Sequence, residues 1–98
     1  MDYVTEVVLF RARPGFDQAA VVEAAETSQR AVVGLDGYID RNFGTNADGD
    51  YVDIVRWRDM ASAEAAAGVV MAAAGFQRLL QVIDESSIRI YHMDSRSL

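Results

Sequence analysis

Residues 51–57 read Tyr-Val-Asp-Ile-Val-Arg-Trp, and five of the seven are β-branched or aromatic. Such residues fit a pleated strand better than a helix, so this segment is predicted to be a β-strand. Alternation puts Asp53 and Trp57 on one face and Arg56 on the other, and each face also carries apolar side chains. A strand with one wet face would alternate strictly between apolar and polar residues. Both faces of this strand are therefore predicted to be covered.

Three further segments have strand patterns. Residues 3–12 are rich in β-branched and apolar side chains on both faces, and a Pro-Gly pair follows them. Proline cannot donate a ladder hydrogen bond, so the strand is predicted to end there. Residues 38–45 are diluted by polar side chains and glycine, which an edge strand tolerates. An Asp-Gly turn joins them to residues 51–57, and residues 86–93 alternate as a fourth strand.

Two segments are predicted to be helices. The first begins at Asp17, whose carboxylate can accept hydrogen bonds from first-turn amides, and has Gly34 as its C-cap. Its buried face recurs at spacings of four and three residues: Val21, Ala25, Ser28, Val32 and Leu35. The second helix is alanine-rich, begins at Asp59 or Ser62, and is expected to kink or break near Gly75.

The order β, α, β, β, α, β is the split βαβ pattern of a ferredoxin-like α+β domain, so residues 1–98 are predicted to form a single domain. Right-handed crossovers put both helices on one face of a four-stranded antiparallel sheet, with the first and third strands central. The opposite face stays uncovered although the central strands are apolar on that side too. Exposed apolar surface favours association. We therefore expect a homodimer in which two sheet faces pack together and enclose a small cavity in each subunit.

Charge and composition exclude several classes of function. The chain has a net charge of −6, and its nine basic residues are arginines spread along the sequence, which argues against nucleic-acid binding. Without lysine or cysteine, Schiff-base, P-loop and thiolate chemistry are excluded. The first residues lack the pattern of an export signal, and no segment is long and apolar enough to cross a bilayer. A cytoplasmic protein without a membrane partner is expected.

Three short motifs carry a resemblance to a known family. Arg-Pro-Gly at residues 13–15 ends the first strand, Leu-Asp-Gly-Tyr at residues 35–38 follows the first helix, and residues 48–57 lead into an alanine-rich helix. With these motifs the chain resembles the antibiotic biosynthesis monooxygenase (ABM-like) domains of the dimeric α+β barrel superfamily, and the match at Trp57 is the most specific. The resemblance implies a dimeric α+β barrel. It also implies cofactor-independent oxygenation of a small phenolic or quinol-type aromatic molecule.

The resemblance suggests site residues as well. Trp57 corresponds to the tryptophan that positions an aromatic substrate, and Asp53 stands where quinone-forming members have asparagine. An ionised aspartate only accepts hydrogen bonds, so Asp53 would act as a base or be protonated in an apolar pocket. Arg78 lies near the position of an arginine that stabilises the substrate anion. His92, the only histidine, is a further acid–base candidate because imidazole titrates near neutrality. No metal or cofactor site is predicted.

Simpler roles remain open for the same residues. Trp57 can be an ordinary core or interface tryptophan. Asp53 can pair with an arginine across the dimer interface. Two functions therefore stand side by side: a cofactor-independent oxygenase, and a non-catalytic dimeric module that binds a small hydrophobic ligand or has a structural role. In the second case the cavity is expected to be dry, or closed and filled by side chains.

Overall fold

The predicted α+β architecture is confirmed in a computed structural model that describes residues 2–98. The elements, in chain order, are β1 (Tyr3–Arg11), α1 (Gln18–Val32), β2 (Tyr38–Thr45), β3 (Asp50–Trp57), α2 (Met60–Ala72), α3 (Ala74–Val82) and β4 (Arg89–Ser95). All strand pairs are antiparallel and the sheet order is β2-β3-β1-β4. As predicted, β1 and β3 are central and β2 and β4 lie at the edges.

The two faces of the sheet differ in their cover. On β3, every second side chain from Tyr51 to Trp57 is buried beneath the helices, whereas Val52, Ile54 and Arg56 on the other side are partly exposed. We call that other side the open face, and its apolar side chains are Val7, Leu9, Val52, Ile54, Tyr91 and Met93. Leu9 and Met93 are 39% and 51% exposed. The second face of the central strand is therefore apolar, as predicted, but no element of the described chain covers it.

Local hydrogen bonds explain where the helices begin. The Asp17 carboxylate accepts from the Ala20 amide at 2.9 Å, and the Asp59 carboxylate accepts from the Ser62 amide at 2.8 Å. These contacts confirm Asp17 as an N-cap and identify Asp59, rather than Ser62, as the second one. The Gly34 prediction was wrong. Helix α1 ends at Val32 with Val33 as C-cap in right-handed backbone, so the helix end needs no left-handed glycine.

The predicted break in the second helix lies at Ala73, two residues before Gly75. Ala73 has extended backbone angles, and α2 and α3 meet there at 84°. A β-carbon at Gly75 would lie 3.3 Å from the Thr27 carbonyl oxygen, so glycine lets α3 approach α1 closely. Within the described residues no single helix is long and apolar enough to span a bilayer; α2 and α3 reach that length and apolarity only as this bent pair.

The last strand begins later than predicted. Residues 86–93 were expected to form it, but Glu85–Ser87 form a 3₁₀ turn and the strand runs from Arg89 to Ser95. Asp84 explains the shift, because its carboxylate accepts from the Ser86 amide at 3.1 Å and turns the chain before the strand.

The core beneath the helices has two parts. One lies under α1 and α3 and contains Phe10, Val21, Tyr51, Leu79 and Val82. The other lies mainly under α2 and contains Val4, Val55, Trp57, Ala63, Ala66 and Val70. Phe76 packs against both. The space between these two parts holds the candidate site.

Candidate functional site

A cavity of about 220 Å³ lies between the sheet and the α2–α3 roof. Its wall is mostly apolar; the polar groups that line it are on Glu6, Arg41, Asp53 and Trp57. Met71 on α2 and Ile90 on β4 also line it, and each is 55% exposed, so the cavity opens between these elements. It lies on the helix side of the sheet. A cavity between two packed sheet faces stays a prediction.

Trp57 forms part of the cavity floor and is only 2% exposed. Its indole Nε1 donates to Glu6 Oε1 at 3.0 Å, and the Tyr38 ring meets it edge-on with centroids 6.1 Å apart. The register pairs Val4 with Trp57 and Glu6 with Val55, which puts Glu6 diagonally next to the tryptophan on the same face. The buried indole N–H therefore has a partner and the ring is fixed in orientation.

Asp53 is held by an arginine of its own chain. Arg41 Nε donates to Asp53 Oδ1 at 2.9 Å, and Arg41 Nη2 donates to Asp53 Oδ2 at 2.6 Å. The two side chains are 6% and 9% exposed. Arg41 also donates from Nη1 to Gln29 Oε1 at 3.2 Å, and Gln29 in turn donates to the Tyr38 hydroxyl. Within the described chain the aspartate thus has its partner on the neighbouring strand β2, not across a dimer interface.

His92 stands beside the cavity rather than in its lining. The register pairs His92 with Glu6 across β1 and β4, and the imidazole Nε2 lies 3.5 Å from Glu6 Oε1. Its side chain is 33% exposed, whereas that of Glu6 is 22% exposed. Glu6 therefore connects the cavity tryptophan to a solvent-accessible imidazole.

Arg78 is not brought to the cavity. It is exposed on α3, and its guanidinium carbon lies 5.8 Å from the centre of the Phe16 ring, a cation–π arrangement. Its neighbours Leu79 and Leu80 line the cavity instead, because adjacent helical residues point about 100° apart. The arginine at the cavity is Arg41.

The sequence analysis missed Glu6 and Arg41. Glu6 is a charged residue on the helix-facing side of a central strand, between Val4 and Val8, and strict alternation along β1 could have identified it. Arg41 gave no comparable signal. Its strand contains a β-bulge between Tyr38 and Asp40, which changes the face on which the following side chains lie.

The resolved pKa shifts belong to groups outside the cavity. The hydrogen bond from Arg56 lowers the pKa of Asp40 on the open face. The hydrogen bond from Arg58 likewise lowers the pKa of Asp36 in the loop before β2. Within residues 2–98 no group of three histidine, aspartate or glutamate side chains is arranged to hold a metal ion. Neither of these two arginine–aspartate pairs lines the cavity.

Comparison with known proteins gives the same fold. No family model and no curated protein matches the chain. Among solved structures, SnoaB from Streptomyces nogalater, a cofactor-independent oxygenase, aligns with a TM-score of 0.77 at 18% identity, over 100% of this chain and 97% of that one. A conserved protein from Methanosarcina mazei Go1 aligns with a TM-score of 0.73 at 14% identity, over 98% and 95%.

A candidate antibiotic biosynthesis monooxygenase from Bordetella bronchiseptica also aligns, with a TM-score of 0.73 at 13% identity, over 99% of this chain and 100% of that one. These structures confirm the resemblance at the level of fold. Similarity at such identities establishes the ferredoxin-like α+β architecture of these monooxygenase-type proteins and leaves the reaction to be argued from the cavity.

Proposed function

We propose that this chain, which shares its fold with the cofactor-independent oxygenase SnoaB, is itself a cofactor-independent monooxygenase acting on a small phenolic or quinol-type aromatic molecule. One observation carries the proposal: an apolar cavity with an ordered indole, a carboxylate and an arginine–aspartate pair in its wall. Ligand sites typically combine an apolar lining with a few polar groups that fix orientation. A cavity filled by side chains, as a purely structural role would require, is not what the described residues form.

The size of the cavity supports a small substrate. Pockets for drug-sized ligands measure about 300–1,000 Å³, and this cavity measures about 220 Å³. A molecule of one or two rings suits it better than a three-ring one. Trp57 lines the cavity but is 2% exposed, so a bound ring would contact a small part of the indole, by edge contact or offset stacking.

The chemistry needs no external reductant, because the substrate supplies all the electrons. A base takes the proton of the ring hydroxyl, and the electron-rich anion passes one electron to O2. The resulting radical pair combines to a carbon–oxygen bond, and the hydroperoxide loses water to leave a carbonyl. For an activated CH2 group the balance is CH2 plus O2 to C=O plus H2O. The protein contributes position, a proton acceptor and an apolar environment.

Asp53 is poorly suited to be that acceptor. Both of its oxygens accept from Arg41, so protonating it would break a bidentate ion pair within the core. Its role in the proposal is to hold the Arg41 guanidinium in a fixed orientation in the cavity wall. Arg41, rather than Arg78, is then the arginine that can donate a hydrogen bond to a substrate oxygen, although Asp53 neutralises its charge.

The proposal includes a homodimer formed through the open face. This face combines apolar side chains on both central strands with half-exposed Leu9 and Met93. Exposed apolar patches of this kind mark association surfaces. A mass equal to one chain in sedimentation at micromolar concentration would contradict it.

Oxygen uptake tests the enzymatic proposal. One- and two-ring hydroquinones are incubated with the protein while dissolved O2 is recorded. We expect uptake to fall strongly in Ala67→Phe, which adds a ring at the lining of the cavity on α2, and to persist in Ala72→Phe, a control on the same helix that is likewise exposed but does not line the cavity. A flat oxygen trace with every quinol, together with saturable binding of the same molecules, would favour the second candidate, a non-catalytic small-ligand-binding module.

A further inference from the structure

Glu6 differs from the other cavity-lining carboxylate in its partners. Asp53 is neutralised by Arg41, whereas among the described residues Glu6 has only an imidazole as a potential cation, His92 at 3.5 Å. Both contacts of the Glu6 carboxylate, from Trp57 and from His92, fall on Oε1. The second oxygen accepts no hydrogen bond from a protein group in residues 2–98. Since no buried side-chain oxygen there lacks a partner, this free oxygen is accessible.

We propose that Glu6 is the group that accepts the proton of the bound substrate hydroxyl, and that His92 passes this proton to solvent. The inference rests on the proposed function, and it assigns a base to that same cavity. The substrate O–H bond breaks, its electron pair stays on the oxygen, and Glu6 becomes a neutral carboxylic acid. The carboxylic acid then turns about its Cγ–Cδ bond so that the protonated oxygen faces His92. The proton moves to Nε2 of a neutral His92, which restores the carboxylate, and the imidazolium releases it to water.

The arrangement gives each member a distinct position. Glu6 lines the cavity and is partly buried, while His92 lies outside the lining on the edge strand and is one-third exposed. A proton therefore has a path from the apolar interior to water through two side chains. Trp57 on β3 donates from Nε1 to the same carboxylate at 3.0 Å, so Glu6 lies between the tryptophan on one neighbouring strand and the histidine on the other.

The charges around this pair are few. On β4, Asp94 follows His92 on the same face; on β2 and β3, Arg41 and Asp53 neutralise each other. The side chains that α2 and α3 contribute to the cavity are apolar. Neither helix therefore supplies a charge that competes with Glu6 for the substrate proton.

A coloured phenol tests proton acceptance without any oxygen chemistry. 4-Nitrophenol absorbs visible light strongly only as the phenolate, so its spectrum when bound reports whether the protein has taken its proton. At a pH where the free phenol is largely neutral, we expect the wild type to bind it as the phenolate and Glu6→Gln to bind it neutral. Glutamine keeps an oxygen that can accept from the Trp57 indole, so the ring stays anchored.

Trp57→Phe is the matched control, because it removes the indole contact but keeps the carboxylate. We expect it to weaken binding while the bound phenol is still ionised. If Glu6→Gln binds the phenolate as the wild type does, the assignment of Glu6 is overturned. If the wild type ionises the phenol yet consumes no oxygen with any quinol, the proposed function fails and the assignment of Glu6 stands.

The relay through His92 has its own readout. We expect oxygen uptake in Glu6→Gln to be about 10²–10⁴ times slower, as is typical when a general base is lost. In His92→Gln, uptake is expected to slow and to recover when imidazole is added to the buffer. Full activity in His92→Gln without any dependence on added imidazole would overturn the relay, and this test applies even if Glu6→Gln fails to fold.

Discussion

Replacing Asp53 by alanine is expected to destabilise the protein strongly. The substitution removes both oxygens that accept hydrogen bonds from the Arg41 guanidinium. The Arg41 side chain is only 6% exposed. What remains near the guanidinium is Gln29 Oε1, which accepts at 3.2 Å. A positive charge would then lie in the core with one neutral partner.

The loss can be estimated from the burial of the pair. Removing one partner of a buried ion pair costs about 3–5 kcal/mol, because the other charge is left without compensation. Asp53 also lines the cavity, so water can reach the truncated site, and the lower end of about 3 kcal/mol is expected. This corresponds to more than a hundredfold change in the unfolding equilibrium. It would remove a large share of the about 5–15 kcal/mol that stabilises a domain of ordinary size.

Urea denaturation at a fixed protein concentration measures this loss. With a slope of about 1–3 kcal/mol per molar urea, the midpoint should fall by about 1–3 M. Asp36→Ala is the matched control, because Asp36 also accepts from both Nη atoms of an arginine, Arg58, but lies off the open face and its side chain is 90% exposed. It should shift the midpoint far less, since both charges are hydrated. Equal shifts for the two variants would refute the view that the Asp53 pair is a buried structural element.

Three further perturbations test other parts of the structure. Gly37→Ala should destabilise the fold by more than about 1 kcal/mol in urea unfolding, because a β-carbon there would lie 2.3 Å from the Ser62 hydroxyl at a φ of +81°, whereas Gly34→Ala, with open space around it, should be nearly neutral. Leu9→Arg on the open face should convert a dimer to single chains in sedimentation, and an unchanged mass would contradict the proposed interface. The hydrogen bond from Arg56 lowers the pKa of Asp40 from its usual 3.8. The pair therefore stabilises the fold above pH 3.8, and this contribution is lost as the pH falls through the lowered value. The difference in urea midpoint between the wild type and Asp40→Asn should accordingly disappear below pH 3.8.

The backbone architecture could be predicted because its signals are local. The caps at Asp17 and Asp59 and the alternation of residues 51–57 depend on neighbours within a few positions. The sheet order followed from general rules of handedness and connection. The C-cap of α1 was less predictable, because the end of a helix is uncertain by one or two residues and Gly34 directly follows the observed C-cap, Val33.

The candidate site was less predictable because its contacts join residues far apart in sequence. Trp57 could be identified, but its partner Glu6 is 51 residues away, and the partner of Asp53 follows a β-bulge that reverses the facing of β2. Arg78 illustrates a different difficulty. A shift of one position on a helix turns a side chain by about 100°, so the neighbouring leucine faces the cavity and the arginine faces Phe16.

The junction at Ala73 divides the cavity into parts that sequence change affects separately. The floor carries Glu6, Asp53 and Trp57, which the pairing of β1 and β3 holds in register. The roof is formed by two short helices joined through one extended residue. Substitutions, insertions or deletions near this junction can alter which molecules fit without moving the polar groups below. Selectivity for a ligand and the capacity for proton transfer can therefore diverge independently in this fold.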